Sequence, residues 1–285
     1  MSAKFGPAGN SISFATMGYK DSLSVPEYVV KMGLDAFEYQ CGRGVNIRHK
    51  KAQQLGELAS EAGITLSLHA PYYISMSSLE PEKRDKSVDY ILQSARAVSA
   101  MGGNRIVIHA GSCGKQSREA ALELALDTAK KAITSLDSEG LSNIRMCMET
   151  MGKINQLGDL NEVLTLCGLD ERMLPCVDFG HLNARTHGGL ANISDFEEVF
   201  MGIENRLGAS RLSEFHVHFS KIEYSQGGEK RHLTFADTQF GPDVEPFIEL
   251  VARKNLSPTV ICESAGTQAE DALTMKKAYL KKLGG

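Results

Sequence analysis

Eight short runs dominated by branched and other apolar residues recur along the 285 residues, and stretches with apolar positions at helical spacing separate them. The extended runs fall near 10–15, 36–41, 65–70, 105–110, 144–149, 174–179, 214–219 and 259–263. The helical stretches fall near 25–32, 48–62, 81–101, 117–138, 159–167, 194–207, 243–254 and 268–282. The first four of these each stop at a glycine (Gly33, Gly63, Gly102, Gly140), the residue that ends a helix in a left-handed conformation without steric cost. Alternation of strand and helix demands parallel strands joined by helical crossovers, and eight such units close a (β/α)8 barrel, the TIM barrel. An open doubly wound sheet also alternates, but no Gly-x-Gly-x-x-Gly turn follows the first strand. No linker or low-complexity tract interrupts the pattern, so residues 1–285 read as one domain.

At 42% hydrophobic and 23% charged, the chain has ample material for the core of such a barrel. It has no run of 18 apolar residues to span a membrane, and its opening, MSAKFGPAGNSISF, lacks the layout of a secretory signal. Six cysteines (41, 113, 147, 167, 176, 262) show no Cys-x-x-Cys spacing, and four of them fall inside expected strands. They read as reduced, buried residues of a cytoplasmic protein. The formal charge of −4 does not advertise nucleic-acid binding, although it leaves local basic patches open. Nothing points to a protein partner.

The chemistry lies at the strand ends. TLSLHAP ends in His69, RIVIHAG in His109, IRMCMET in Glu149, and LPCVDFGH in Asp178 and His181. FHVHFS carries His216 and His218, and TVICES ends in Glu263. A parallel barrel gathers these ends on one face. Side chains alternate along a strand, so His216 and His218 point inward while Phe215, Val217 and Phe219 meet the helices. His218 is nearer the mouth and is the better ligand, with His216 one layer deeper. A single histidine at a strand end is more often structural than a ligand. Two matching His-Ala strand ends, together with three carboxylates that would repel one another without cations, favour metal ligation. His49 and His187 lack such a setting and read as surface residues. The polar, glycine-rich stretch 220–242 is long for a loop and would lie on the same face.

These residues resemble the endonuclease IV family of apurinic/apyrimidinic endonucleases, a branch of the xylose-isomerase-like barrels, over nearly the whole chain. The resemblance implies one ion held by His69, His109 and Glu149, and a second held by Glu149, Asp178, His218 and Glu263. It implies a third held by His181 and an Asp-x-His pair in the long loop. His232 fits that pair, but Lys230 stands at the aspartate's position and Glu229 is one place off register. The ions implied are zinc, two or three in number, with manganese the alternative. Glu149 and Glu263 take the catalytic roles, Glu149 bridging two ions and Glu263 orienting the attacking water. The substrate implied is damaged double-stranded DNA, cut 5′ to abasic sites in base excision repair. Tyr72 in HAPYYIS matches the family's DNA-facing tyrosine, and Arg43 lies where the family places a DNA-penetrating arginine. Arg48, Lys50 and Lys51 cluster near it, and Lys221, Lys230 and Arg231 could extend the same surface.

Sugar isomerases and ketose 3-epimerases of the same barrel hold a single metal with Glu, Asp, His and Glu, which Glu149, Asp178, His218 and Glu263 supply equally well. His69, His109 and His232 separate the two readings, because extra imidazoles imply extra ions. Several ions suit phosphate-ester hydrolysis and are unnecessary for proton abstraction beside a carbonyl. A barrel that only binds a ligand is the third reading.

Overall fold

The computed structural model describes residues 2–284. In chain order the strands are β1 (Lys4–Pro7), β2 (Ala36–Gln40), β3 (Thr65–His69), β4 (Arg105–Ile108), β5 (Arg145–Glu149), β6 (Leu174–Asp178), β7 (His216–Phe219), β8 (Ile222–Ser225), β9 (Gly228–His232) and β10 (Thr259–Cys262). The helices are α1 (Ile12–Thr16), α2 (Val25–Lys31), α3 (His49–Glu61), α4 (Pro81–Ala100), α5 (Arg118–Ser138), α6 (Leu160–Cys167), α7 (Phe179–Arg185), α8 (Ile193–Leu207), α9 (Ala209–Ser213), α10 (Glu245–Arg253) and α11 (Gln268–Leu283). Eight parallel strands run in the order β1-β10-β7-β6-β5-β4-β3-β2, while β8 and β9 form a separate antiparallel hairpin.

The two end strands meet and close a TIM barrel. Asp35 N donates to Phe5 O at 2.9 Å, Gly9 N donates to Glu38 O at 3.0 Å, and Ala8 pairs with Glu38. Closure needs glycine at position 6, since a Cβ there would lie 1.8 Å from Ala36 O.

Side-chain alternation works as the sequence suggests. Phe215 and Phe219 point outward and pack on Phe200 and Phe247, with ring centroids 5.5 and 5.6 Å apart. Burial of each such ring contributes roughly 1.5–3 kcal/mol. Inside the barrel, Val107, Cys147, Leu174 and Cys176 form an apolar plug. All six cysteines are free and buried. Among the described residues, no helix is long and apolar enough to cross a membrane.

Several elements differ from the sequence reading, among them the short helix α9, which the sequence reading left out. The first strand lies at Lys4–Pro7, and residues near 10–15 instead enter helix α1. In KFGP only Phe5 is a large apolar residue, because the barrel seam takes glycine, so its strand pattern is faint. The alternation of Ile12 and Phe14 misleads: Phe14 is buried while Ile12 is 66% exposed. Helix α7 follows β6 without a loop, because Asp178 ends the strand and also caps the helix through His181 N at 2.7 Å. The long 220–242 connection contains the β8–β9 hairpin.

Candidate metal centre at the barrel mouth

Glu149, at the end of β5, is the hub of the mouth. Its Oε2 lies 3.2 Å from His69 Nε2 and 2.9 Å from His109 Nε2. Its Oε1 lies 3.3 Å from both His181 Nδ1 and His218 Nδ1. Three groups of ligand-type atoms assemble around it: His69, His109 and Glu149; Glu149, Asp178, His218 and Glu263; and His181, Glu229 and His232. In each group the atoms lie within 4.8 Å of one another. All eight sequence-predicted ligands are therefore brought together, with Glu229 as the ninth.

Several imidazoles are held through Nδ1. His69 Nδ1 meets Ala70 O at 2.7 Å, His181 Nδ1 meets Thr150 O at 2.9 Å, and His232 Nδ1 meets Ser220 Oγ at 2.8 Å. Main-chain carbonyls can only accept, so His69 and His181 donate through Nδ1 and keep their Nε2 lone pairs for the cluster. Asp178 spends Oδ1 on the cap of α7, while its buried Oδ2 has no hydrogen-bond partner and lies 3.2 Å from His181 Nδ1. A buried orphan carboxylate oxygen is costly, and a cation beside Glu149 and Glu263 would satisfy it. The mixed His/carboxylate donor set suits zinc or manganese.

Electrostatics agree with that donor set. Burial works against ionisation of Glu149, yet the His109 and His218 imidazoles hold its carboxyl well below the usual range. Glu263 is similarly opposed by burial but brought down to about 2, chiefly by His218. Burial pushes Asp178 up to about 6. His181 is opposed by burial but raised to about 10, with Asp178 the main cause. Without cations, His69, His181 and His218 are all raised by the neighbouring carboxylates, against burial.

Glu229 reaches the cluster through a β-bulge. In the hairpin, Glu223 pairs with Arg231 and Tyr224 with Glu229, so Lys230 is the extra residue that no partner opposes. In a regular strand, residues three apart face opposite ways. The bulge absorbs one residue and returns Glu229 and His232 to the same side. Glu229 Oε2 then lies 3.4 Å from His181 Nε2. Gly228 (φ +88°) permits the close docking of the hairpin, since a Cβ there would stand 2.2 Å from Gly152 O.

A cavity of about 300 Å³ opens onto this cluster, with Tyr72 and Lys153 also in its wall. The Tyr72 ring meets His69 edge-on at 5.0 Å and stacks on His109 at 5.5 Å. Its backbone N donates to Gly42 O at 3.1 Å, which ties it to the loop bearing Arg43. Arg43, Arg48 and Lys50 are exposed. The other cations are already engaged. Lys51 pairs with Asp21, Lys221 bonds Asp237 O, and Lys230 and Arg231 both pair with Glu223. They do not extend a free basic surface as the sequence suggested. His49 and His187 are exposed and away from the cluster, as read from sequence.

Sequence reasoning missed Glu38, fully buried on β2, with His216 Nε2 at 2.9 Å and His218 Nε2 at 2.9 Å. Its signal was available: a lone carboxylate within AFEYQ, two residues from Ala36 and Gln40 on the same face.

The family described as Xylose isomerase-like TIM barrel matches residues 26–283. An uncharacterized protein of Methanocaldococcus jannaschii is 32% identical over 272 residues, covering 95% of each chain. A protein named Probable endonuclease 4 from Acholeplasma laidlawii is 30% identical over 205 residues, covering 69% of this chain and 67% of its own. Among solved structures, endonuclease IV from Thermus thermophilus superposes with a TM-score of 0.70 at 18% identity over 99% of both chains. A D-tagatose 3-epimerase-like protein superposes with a TM-score of 0.72 at 18% identity, covering 99% of this chain and 98% of its own. At these identities the two superpositions speak for the fold alone. With the family match and the sequence relatives behind it, this chain belongs to the xylose isomerase-like TIM barrel family of enzymes and is endonuclease IV-like within it.

Proposed function

We propose that this chain is a multi-metal phosphodiesterase that cleaves damaged DNA on the 5′ side of abasic sites and leaves a 3′-hydroxyl, acting in the cytoplasm in base excision repair. The observation that carries the reading is the donor set outside Glu149, Asp178, His218 and Glu263. Those four residues suffice for one ion, and the His69/His109 pair and the His181/Glu229/His232 group add places for two more. A single-metal epimerase has no use for His69, His109 or His232. The ions intended are zinc, with manganese the alternative.

When bound, such ions lower the pKa of water and take up charge on phosphate oxygens. The residues then divide the work. Glu149 offers one oxygen to each side of the cluster and so joins two ion places. Glu263, ionised at neutral pH and 13% exposed at the cavity, accepts a hydrogen bond from the attacking water and orients it. Glu229 and His232 hold the third place above His181. An abasic nucleotide must leave the base stack to reach this recess, and Tyr72 in the cavity wall, with Arg43 on the loop tied to it, is the candidate to fill the gap.

The test is incubation of zinc-loaded protein with an abasic duplex. One cut 5′ to the lesion with a 3′-hydroxyl end is the expected product. The second reading, an epimerase, is favoured by the same four residues at the mouth. Absence of cleavage at high enzyme, alongside turnover of a ketohexose, would establish it instead.

A further inference from the structure

Beneath the mouth lies an ionisable cluster that the hydrolytic chemistry does not use. Glu38 is fully buried inside the barrel. Its Oε2 accepts from Ser67 Oγ at 2.9 Å and from His216 Nε2 at 2.9 Å. Its Oε1 lies 2.9 Å from His218 Nε2, in an approach bent away from the ideal hydrogen-bond direction. A carboxylate in a barrel core costs several kcal/mol unless it is paired, and an apolar residue is the default there.

The orientation of His218 supplies the reason for a carboxylate. His69 anchors Nδ1 on Ala70 O and turns Nε2 to Glu149. His218 is reversed. Its Nδ1 faces Glu149 at 3.3 Å and Glu263 at 3.5 Å, and Nε2 points down the barrel. No main-chain carbonyl hydrogen-bonds that nitrogen, and Glu38 provides the carboxylate oxygen beside it.

We infer that Glu38 is a positioning residue, which keeps the proton of His218 on Nε2 and so leaves Nδ1 free for the ion shared with Glu149, Asp178 and Glu263. Ser67 and His216 hold Glu38 in place. Cys176, His216 and His218 also lie close enough together to suggest a separate ion site. Cys176, however, packs in the apolar plug with Val107, Cys147 and Leu174, and His216 spends Nε2 on Glu38. The inference rests on the metal reading of the mouth and is independent of the substrate.

Calorimetric zinc titration of apo protein tests it, together with ¹⁵N-histidine NMR of the zinc-loaded wild type. Glu38→Gln is expected to weaken the ion at Glu149, Asp178, His218 and Glu263 by tenfold or more, within the ~10–100-fold typical of such supporting partners. The ion at His181, Glu229 and His232 keeps its affinity. In the wild type, the NMR spectrum should show His218 bound through Nδ1 with a slowly exchanging proton on Nε2. The milder Ser67→Ala change, which removes one hydrogen bond to Glu38, should shift zinc affinity in the same direction even if Glu38→Gln does not fold. Zinc affinity unchanged in both variants, or His218 bound through Nε2, overturns the inference while leaving the metal reading intact. Wild-type protein that takes up no zinc overturns both.

Discussion

Deletion of Lys230 should leave the metal count unchanged, whereas Glu229→Gln should remove one ion per chain. The hairpin sets this contrast. Lys230 is the residue absorbed by the bulge, so its deletion yields Glu-Arg-His in a regular strand, with Glu229 and His232 still on one face. The stability cost is small. Lys230 is 53% exposed and its main partner is Glu223, which Arg231 continues to hold at 2.7 Å. An exposed pair of this kind contributes about 0–1 kcal/mol. For a chain this long, that lowers the Tm of the metal-free protein by no more than about 4 °C. Glu229→Gln leaves the hairpin in place but removes the anionic ligand 3.4 Å from His181. Elemental analysis of gently purified variants, with thermal melts of their apo forms, gives both numbers. Loss of an ion on deletion of Lys230, with full occupancy in Glu229→Gln, would refute the bulge argument.

Zinc uptake should release protons and tighten as pH rises from about 6.5 toward 10, because His181 is raised to about 10 in the metal-free cluster and must shed its proton to ligate. The sign for apo stability is opposite: a raised histidine stabilises fully below its unfolded value near 6.5, and the contribution fades as pH climbs to about 10. Calorimetry in buffers of different ionisation heat reads the protons, and proton-neutral binding at pH 7 would contradict it. Arg48→Ala with Lys50→Ala should weaken duplex binding and lower the salt slope by about 0.9 for each phosphate no longer neutralised. An unchanged slope assigns those residues to a solvated face. Tyr72→Ala should reduce preference for abasic over intact duplex in a binding titration while metal content stays constant, and equal loss on both duplexes would count against a gap-filling role.

Much of the mouth was legible because histidines and carboxylates at strand ends announce themselves twice, by residue type and by a buried strand just before them. His69, His109, Glu149, Asp178, His218 and Glu263 all carry that double mark, and the barrel brings them together. Sequence left Glu229 one place off register as a substitute for the aspartate, because a bulge changes side-chain parity without leaving a distinctive residue pattern. Glu38 was overlooked because its partners, His216 and His218, lie far away in the chain, His216 by 178 positions. The first strand was misplaced because a seam built on Gly6 has little side chain to reveal it. Charge pairing was equally hidden: Lys230 and Arg231 read as free cations until the hairpin set Glu223 between them.

The number of ions per chain, in the wild type and in two sets of variants, tests the multi-metal reading most directly. Three are expected in the wild type, with a loss of two in Glu149→Gln because that carboxylate serves two places, and a smaller loss in His69→Ala or His109→Ala. One ion per chain, undisturbed by His69→Ala combined with His109→Ala, would contradict a multi-metal hydrolase and leave the single-metal epimerase.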